Sequence, residues 1–260
     1  MTPLTARSSW VQVSRPRPGA RLRLICLPAA GGGASRYRDW PARLPADVEV
    51  VSVQLPGREN RFNETPIESM EALLDPLAGA LAGYLTRPFA LFGHSMGALI
   101  AFELARRMRA WRVAPVHLLA AGCRAPHLPR RSPDWHTLPD REFLATLARL
   151  GGIPPELRSE SDFLDVMLPV LRSDCTLVET YRCRPQLPLS CPITAFGGLG
   201  DEEVYPEDVQ AWSRHTTGPF GVHLLPGDHF FVNSAFPDLL RLVSAALTPT
   251  ITPARSAGLR

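Results

Sequence analysis

Six short, nearly unbroken apolar runs recur along the chain: RLRLICLP at 21–28, VEVVSVQLP at 48–56, PFALFGHS at 88–95, APVHLLAAG at 114–122, CPITAFGG at 191–198 and GVHLLPG at 221–227. Their length and Val/Ile/Leu/Phe content predict strands, and the scarcity of polar residues within them predicts burial on both faces. Between the runs, apolar residues recur at helical spacing over 67–85, 96–111, 206–215 and 234–247. Strands alternating with helices predict an α/β fold with a mostly parallel central sheet and helices on both faces. Ligands of such sheets sit beyond the carboxyl ends of the strands.

The alternation fails between about 125 and 186, where a Pro- and Arg-rich stretch leads into two helical patterns, 140–152 and 162–181, with no strand between them. A helical insertion between two strands of one sheet lies over the strand ends as a lid, although plain packing helices would carry the same pattern. The ends, about 1–20 and 248–260, are rich in Pro, Ser and Arg and are expected to be tails around a single domain.

Composition narrows the function classes. A net charge of +3, carried by Arg scattered among acids, forms no basic block and argues against a nucleic-acid partner. Neither a membrane span nor a secretory leader is legible, and five cysteines without paired spacing suit a reducing compartment. A cytoplasmic enzyme without metal or bound cofactor is the expectation.

The run at 91–100, LFGHSMGALI, places Ser95 in a G-x-S-x-G string where a strand gives way to a helix. That placement holds a serine hydroxyl out at a sharp turn. A hydroxyl is a weak nucleophile at neutral pH, so it needs a base to take its proton and an acid to orient the base. In this architecture the chain order is serine, acid, histidine. GGLGDEEV offers Asp201 straight after the fifth run, with Glu202 and Glu203 as neighbours, and PGDHFF offers His229 after the sixth, next to Asp228. Acyl transfer also requires donors for the oxyanion. The residue after the nucleophile, Met96, supplies one amide, and the glycine-rich CLPAAGGGAS at 26–35 is suited to supply a second.

These pieces, with LPAAGGGASRYRDW, VQLPGREN and FGHSMGALIAFELA, resemble the α/β-hydrolase superfamily, and more narrowly the type II thioesterases that accompany polyketide synthases and nonribosomal peptide synthetases. The resemblance implies Ser95 as nucleophile, Asp201 as orienting acid, His229 as base, and the Ala30 and Met96 amides as oxyanion donors. It implies hydrolysis of acyl groups from the phosphopantetheine arm of an acyl or peptidyl carrier protein, in an editing role. It also implies a lid with an acyl chamber, for which Phe143, Leu144, Phe163, Met167 and Leu171 are candidates, although their helical spacing equally suits core packing. One departure is Ala29, where relatives commonly carry an aromatic or histidine.

The competing readings are a chain-terminating thioesterase, a general carboxylesterase, and a carrier-binding module without turnover. The first group commonly takes its acid from the loop after the preceding strand, and GCRAPH at 122–127 has no carboxylate.

Overall fold

The computed structural model describes residues 9–153 and 161–251, together with the backbone but not the side chains of Ser161, Asp162, Phe163 and Asp165. Among the described residues, seven strands form one sheet in the order β1-β3-β2-β4-β5-β6-β7. They are β1 (Val11–Gln12), β2 (Leu22–Leu27), β3 (Val48–Val53), β4 (Phe89–His94), β5 (His117–Ala121), β6 (Ile193–Gly198) and β7 (Phe220–Leu225). β2 to β7 run parallel, and β1 alone pairs antiparallel.

Because side chains alternate along a strand, each apolar run feeds two cores at once. Leu22, Leu24 and Cys26 of β2 join Val48, Val50, Ala90 and Phe92 on one face, against Tyr37, Trp40 and the helix α8 (Phe236–Ile251). Ile25 and Leu27 turn to the other face with Val51, Val53 and Leu91. There they meet α2 (Met70–Leu81) and α3 (Met96–Met108). Each such Leu, Ile or Phe, fully buried, contributes roughly 1.5–3 kcal/mol relative to exposure. The edge strand β7 is half exposed, as its Gly and His content suggests.

The predicted strands and helices are all present, with ends shifted by a residue or a few, and the last helix runs four residues beyond its predicted end. The run 67–85 becomes α2 followed by a 3-10 turn at Ala82–Tyr84, and 96–111 becomes α3 followed by one at Arg109–Trp111. The run 206–215 divides into α6 (Pro206–Gln210) and a 3-10 helix, Ala211–His215. Two short helices have no periodic signature of their own: α1 (Trp40–Arg43), whose Trp40 seals one face, and α7 (Phe231–Ser234), whose Phe231 joins the same core.

The tail expectation needs correction within the described residues. Val11 pairs with Val53 and Gln12 with Ser52, while the Arg17 guanidinium donates to the Val48 carbonyl at 2.7 Å. A two-residue strand is too short to show periodicity, yet it caps the edge of β3. At the other end, α8 continues to Ile251, whose side chain closes the core of that face. Among the described residues, two α-helices stand between β5 and β6, α4 (Asp140–Arg149) and α5 (Ser161–Thr180). They share a small core of Phe143, Leu147, Ile153, Leu171 and Cys175.

Candidate active site

Parallel strands put the ends of β2, β4, β6 and β7 along one edge, and the residues singled out in the sequence follow those ends. Ser95 sits on the turn from β4 into α3 with φ 53° and ψ −117°, a conformation that costs a non-glycine residue roughly 1–3 kcal/mol. Two glycines make the turn possible. A Cβ on Gly93 would fall 2.1 Å from the Gly97 carbonyl oxygen, and one on Gly97 would fall 2.1 Å from the Leu27 carbonyl oxygen. The Ser95 amide is fastened to the Ala121 carbonyl of β5 at 2.8 Å. The hydroxyl is thus presented by a turn held on three sides.

His229 Nε2 lies 2.9 Å from Ser95 Oγ, and its Nδ1 lies 2.8 Å from Asp201 Oδ2. An ionised carboxylate only accepts, so Nδ1 carries the proton and Nε2 offers its lone pair to the serine hydroxyl. Asp201 Oδ1 accepts the amides of Glu203 at 2.9 Å and Val204 at 3.1 Å. Burial by itself raises the Asp201 carboxyl, but the hydrogen bond and charge of His229, with the two backbone amides, outweigh it and hold the group below its ordinary range. The acid therefore stays ionised in a site its own side chain hides from solvent.

The other candidate acids are occupied elsewhere. Glu202 reaches Arg149 at 3.2 Å in the open, Glu203 accepts from the Ser132 hydroxyl, and Asp228 caps the Phe230 amide at 2.8 Å. His117 bonds Thr194 Oγ1 at 2.8 Å between strands, and His223 stacks on Phe196. His94, adjacent to the serine, directs its ring to the loop that carries the base. It does so with a purpose that residue types alone did not reveal: its Nε2 donates to the His229 carbonyl at 2.8 Å. Burial first, and the nearby His229 ring second, push its pKa down to about 3, so the imidazole stays neutral.

Ser95 and His229 open onto a cleft of about 650 Å³ that runs beneath α4 and α5 and is also lined by Ala30, Met96, Leu147, Leu171 and Val178. Ala30 and Met96 both line this cleft, and neither amide takes part in a backbone hydrogen bond of loops and caps among the described residues. A second cavity of about 160 Å³ lies on the far side of the Ala29–Gly32 loop, against Trp40, His94 and Phe236.

The chamber candidates separate accordingly. Leu171 lines both cavities and Met167 only the smaller one. Phe143 is fully buried in the core shared by α4 and α5, and Leu144 packs on that core. Their helical spacing served packing, which corrects the expectation for those two. The side chain of Phe163 lies outside the described residues. Beside Leu171, the cleft walls are supplied by residues outside that candidate set, Leu99, Leu147 and Val178 among them.

Two other clusters near the cleft do different work. Burial pushes the Cys123 and Cys175 thiols up to about 12, so neither competes with Ser95 as a nucleophile at neutral pH. Asp134, His136 and Glu179 bring donors within 4.8 Å of one another. Glu179, however, already accepts from Arg130 at 3.1 Å and from the Trp135 and His136 amides, so an arginine supplies the cation there.

Comparison with known proteins fits this geometry. Residues 22–247 match the family model described as "Thioesterase domain". The chain is 41% identical to linear gramicidin dehydrogenase LgrE of Brevibacillus parabrevis, over 96% of this chain and 97% of that one. It is 38% identical to thioesterase PikA5 of Streptomyces venezuelae, over 93% and 86% respectively. Among solved structures it resembles the type II thioesterase BorB from the borrelidin biosynthetic cluster, with a TM-score of 0.86, 38% identity, and coverage of 94% of this chain and 99% of that one.

Proposed function

The chain belongs to the thioesterase-domain family, hydrolases of the serine α/β-hydrolase type, and from that premise we propose that it removes acyl groups from the phosphopantetheine thiol of carrier proteins in an editing role. The observation that carries the reading is the continuous hydrogen-bonded chain from Ser95 through His229 to Asp201.

In the proposed mechanism His229 Nε2 takes the Ser95 proton as Oγ attacks the thioester carbonyl. The oxyanion of the tetrahedral intermediate lies against the Ala30 and Met96 amides, each such donor contributing roughly 3–4 kcal/mol. Collapse breaks the C–S bond, and the imidazolium returns its proton to the departing thiolate. A water, deprotonated by the same nitrogen, then attacks the Ser95 ester; the bond from the acyl carbon to Oγ breaks, the imidazolium returns its proton to Oγ, and a free acid leaves. Asp201 remains ionised throughout, holding Nδ1–H and stabilising the imidazolium charge. No step calls for a metal or an organic cofactor.

Several observations favour this substrate class over the alternatives. BorB, which this chain resembles over nearly its whole length, is a type II thioesterase. The orienting acid here follows β6, while Gly122, Cys123 and Arg124 after β5 carry no carboxylate. LgrE is named a dehydrogenase, yet this chain lacks the G-x-G-x-x-G fingerprint that cradles a dinucleotide, and a hydroxyl bonded to an imidazole is equipped for acyl transfer.

The test compares hydrolysis of an acyl-carrier thioester with that of a simple ester of the same acid. Faster turnover of the carrier thioester, lost by at least about a thousandfold in Ser95→Ala, is expected. A strong preference for the ester would move the chain to the carboxylesterases, and full activity in Ser95→Ala would remove the nucleophile.

A further inference from the structure

The oxyanion loop has one hydrogen bond of its own, from the Gly32 N–H to the Ala29 carbonyl at 2.9 Å, and the Gly31 amide is held from outside it. Gly31, the residue after Ala30, has φ +71°, and a Cβ on it would lie 2.5 Å from Leu171 Cδ2 of α5, so the helix rests directly on the loop backbone. One turn further along α5, Asp174 reaches the same loop: its Oδ2 accepts the Gly31 amide at 2.7 Å. That carboxylate also forms a bidentate pair with Arg58, Nη1 to Oδ2 at 2.6 Å and Nη2 to Oδ1 at 2.8 Å, the two side chains only 4% and 2% exposed. Arg58 Nη1 in turn donates to the Gly32 carbonyl at 3.3 Å, and Nε to the Pro56 carbonyl at 3.1 Å.

A buried ion pair of this kind adds little net stability relative to apolar residues of similar volume, so its retention calls for another explanation. Here the pair grips both peptide groups that flank the Gly31–Gly32 bond and ties them to a helix 116 positions from Arg58 in the chain. The Asp174 bond to the Gly31 N–H fixes the plane of the Ala30–Gly31 peptide, and the Gly32 N–H to Ala29 carbonyl bond at 2.9 Å fixes the neighbouring Ala29–Ala30 peptide that bears the Ala30 N–H; with both planes held, the direction of the Ala30 amide is set from the two sides of that residue.

We infer that Asp174 and Arg58 are positioning residues that set the oxyanion loop and make its readiness depend on the seating of α5. The inference rests on the reading of Ser95 and Ala30 given above. When α5 is seated, Asp174 holds the Ala30 amide toward the tetrahedral oxygen. When α5 moves away, the loop loses its acceptor and the donor its aim. Binding and chemistry are thereby linked through one carboxylate that does not touch the substrate.

Asp174→Asn is the first test. Its single oxygen cannot serve Gly31, Arg58 Nη1 and Arg58 Nη2 together, and its amide group opposes the guanidinium. The expectation is a kcat lowered about a hundredfold with KM within threefold of the parent, since an oxyanion donor acts in the transition state. Inhibition by phenylboronic acid, which becomes tetrahedral on Ser95, should weaken at least tenfold, while inhibition by the product acid stays unchanged. The second variant, Arg58→Met with Asp174→Leu, removes both charges and should restore the melting temperature without restoring kcat. A kcat within twofold of the parent in either folded variant overturns the inference, as does equal weakening of boronate and product binding. If neither variant folds, the pair is structural and the inference falls. Ser95→Ala run alongside separates the two claims: an active Ser95→Ala refutes the nucleophile, whereas an inactive Ser95→Ala beside a fully active Asp174→Asn refutes only the positioning role.

Discussion

Replacing Asp201 by Asn exchanges one carboxylate oxygen for an NH2 group and should disable the base. Oδ1 of Asp201 accepts two backbone amides, from Glu203 at 2.9 Å and Val204 at 3.1 Å, and Oδ2 accepts His229 Nδ1 at 2.8 Å. An asparagine has one acceptor oxygen for these three donors. If its oxygen stays with the two amides, its NH2 faces Nδ1, the ring must present a lone pair there, and the proton shifts to Nε2, opposite Ser95 Oγ. A serine proton then has no acceptor, and the wrong-tautomer loss in a comparable triad is about 10⁴-fold, or about 5.5 kcal/mol on the barrier. If the side chain flips to keep the tautomer, two buried amide donors face an NH2 group, at about 1–3 kcal/mol each. The cheaper route thus still costs about 2 kcal/mol, or roughly thirtyfold. The assay is stopped-flow release of the carrier thiol, with circular dichroism to confirm folding. A folded Asp201→Asn with kcat/KM within threefold of the parent would refute the reasoning.

Other consequences can be read from the same contacts. Gly97→Ala drives a methyl group against the Leu27 carbonyl, so a loss of about 1–3 kcal/mol in urea unfolding and a lowered kcat are expected; an unperturbed variant would mean that the turn is not constrained as described. His94→Phe leaves the half-buried His229 carbonyl without its donor and should destabilise by about 1 kcal/mol, with kcat reduced more than KM is changed; unchanged stability and kcat would show that His94 does not hold the base loop. The Asp201 carboxyl is held below its ordinary value of 3.8, so its hydrogen bonds contribute fully above that pH and are lost as pH falls through the lower, folded-state value. The stability gap between the parent and Asp201→Asn should therefore narrow below about pH 4 in acid titration, and a gap constant from pH 6 to 3 would contradict the assignment.

How much of this was legible in the sequence depended on how local the signal was. The buried strands were visible because each is a compact apolar run, and Ser95, Asp201 and His229 because parallel topology sends every strand end to one edge. Val11–Gln12 was hidden by its length, and α1 by having one anchoring tryptophan in place of a stripe. Phe143 and Leu171 belong to the same helical pattern type, yet only Leu171 meets the cleft; periodicity marks a buried face and is silent about whether that face meets a cavity or another helix. Asp174 gave no signal because its partners are a backbone amide and an arginine more than a hundred positions away. Arg58, in contrast, stood in plain view inside VQLPGREN, a charged residue directly after a buried strand, and that oddity was the available clue.

The most direct test of the account is to find the acyl group in transit. The protein is mixed with an acyl-carrier thioester, quenched with acid within the first turnover, digested and read by mass spectrometry. The account predicts the acyl mass on the peptide that contains Ser95, appearing as the carrier thiol is freed and decaying as free acid accumulates. Deacylation of the carrier at the parent's rate with no acyl mass on that peptide, or by Ser95→Ala, would contradict it.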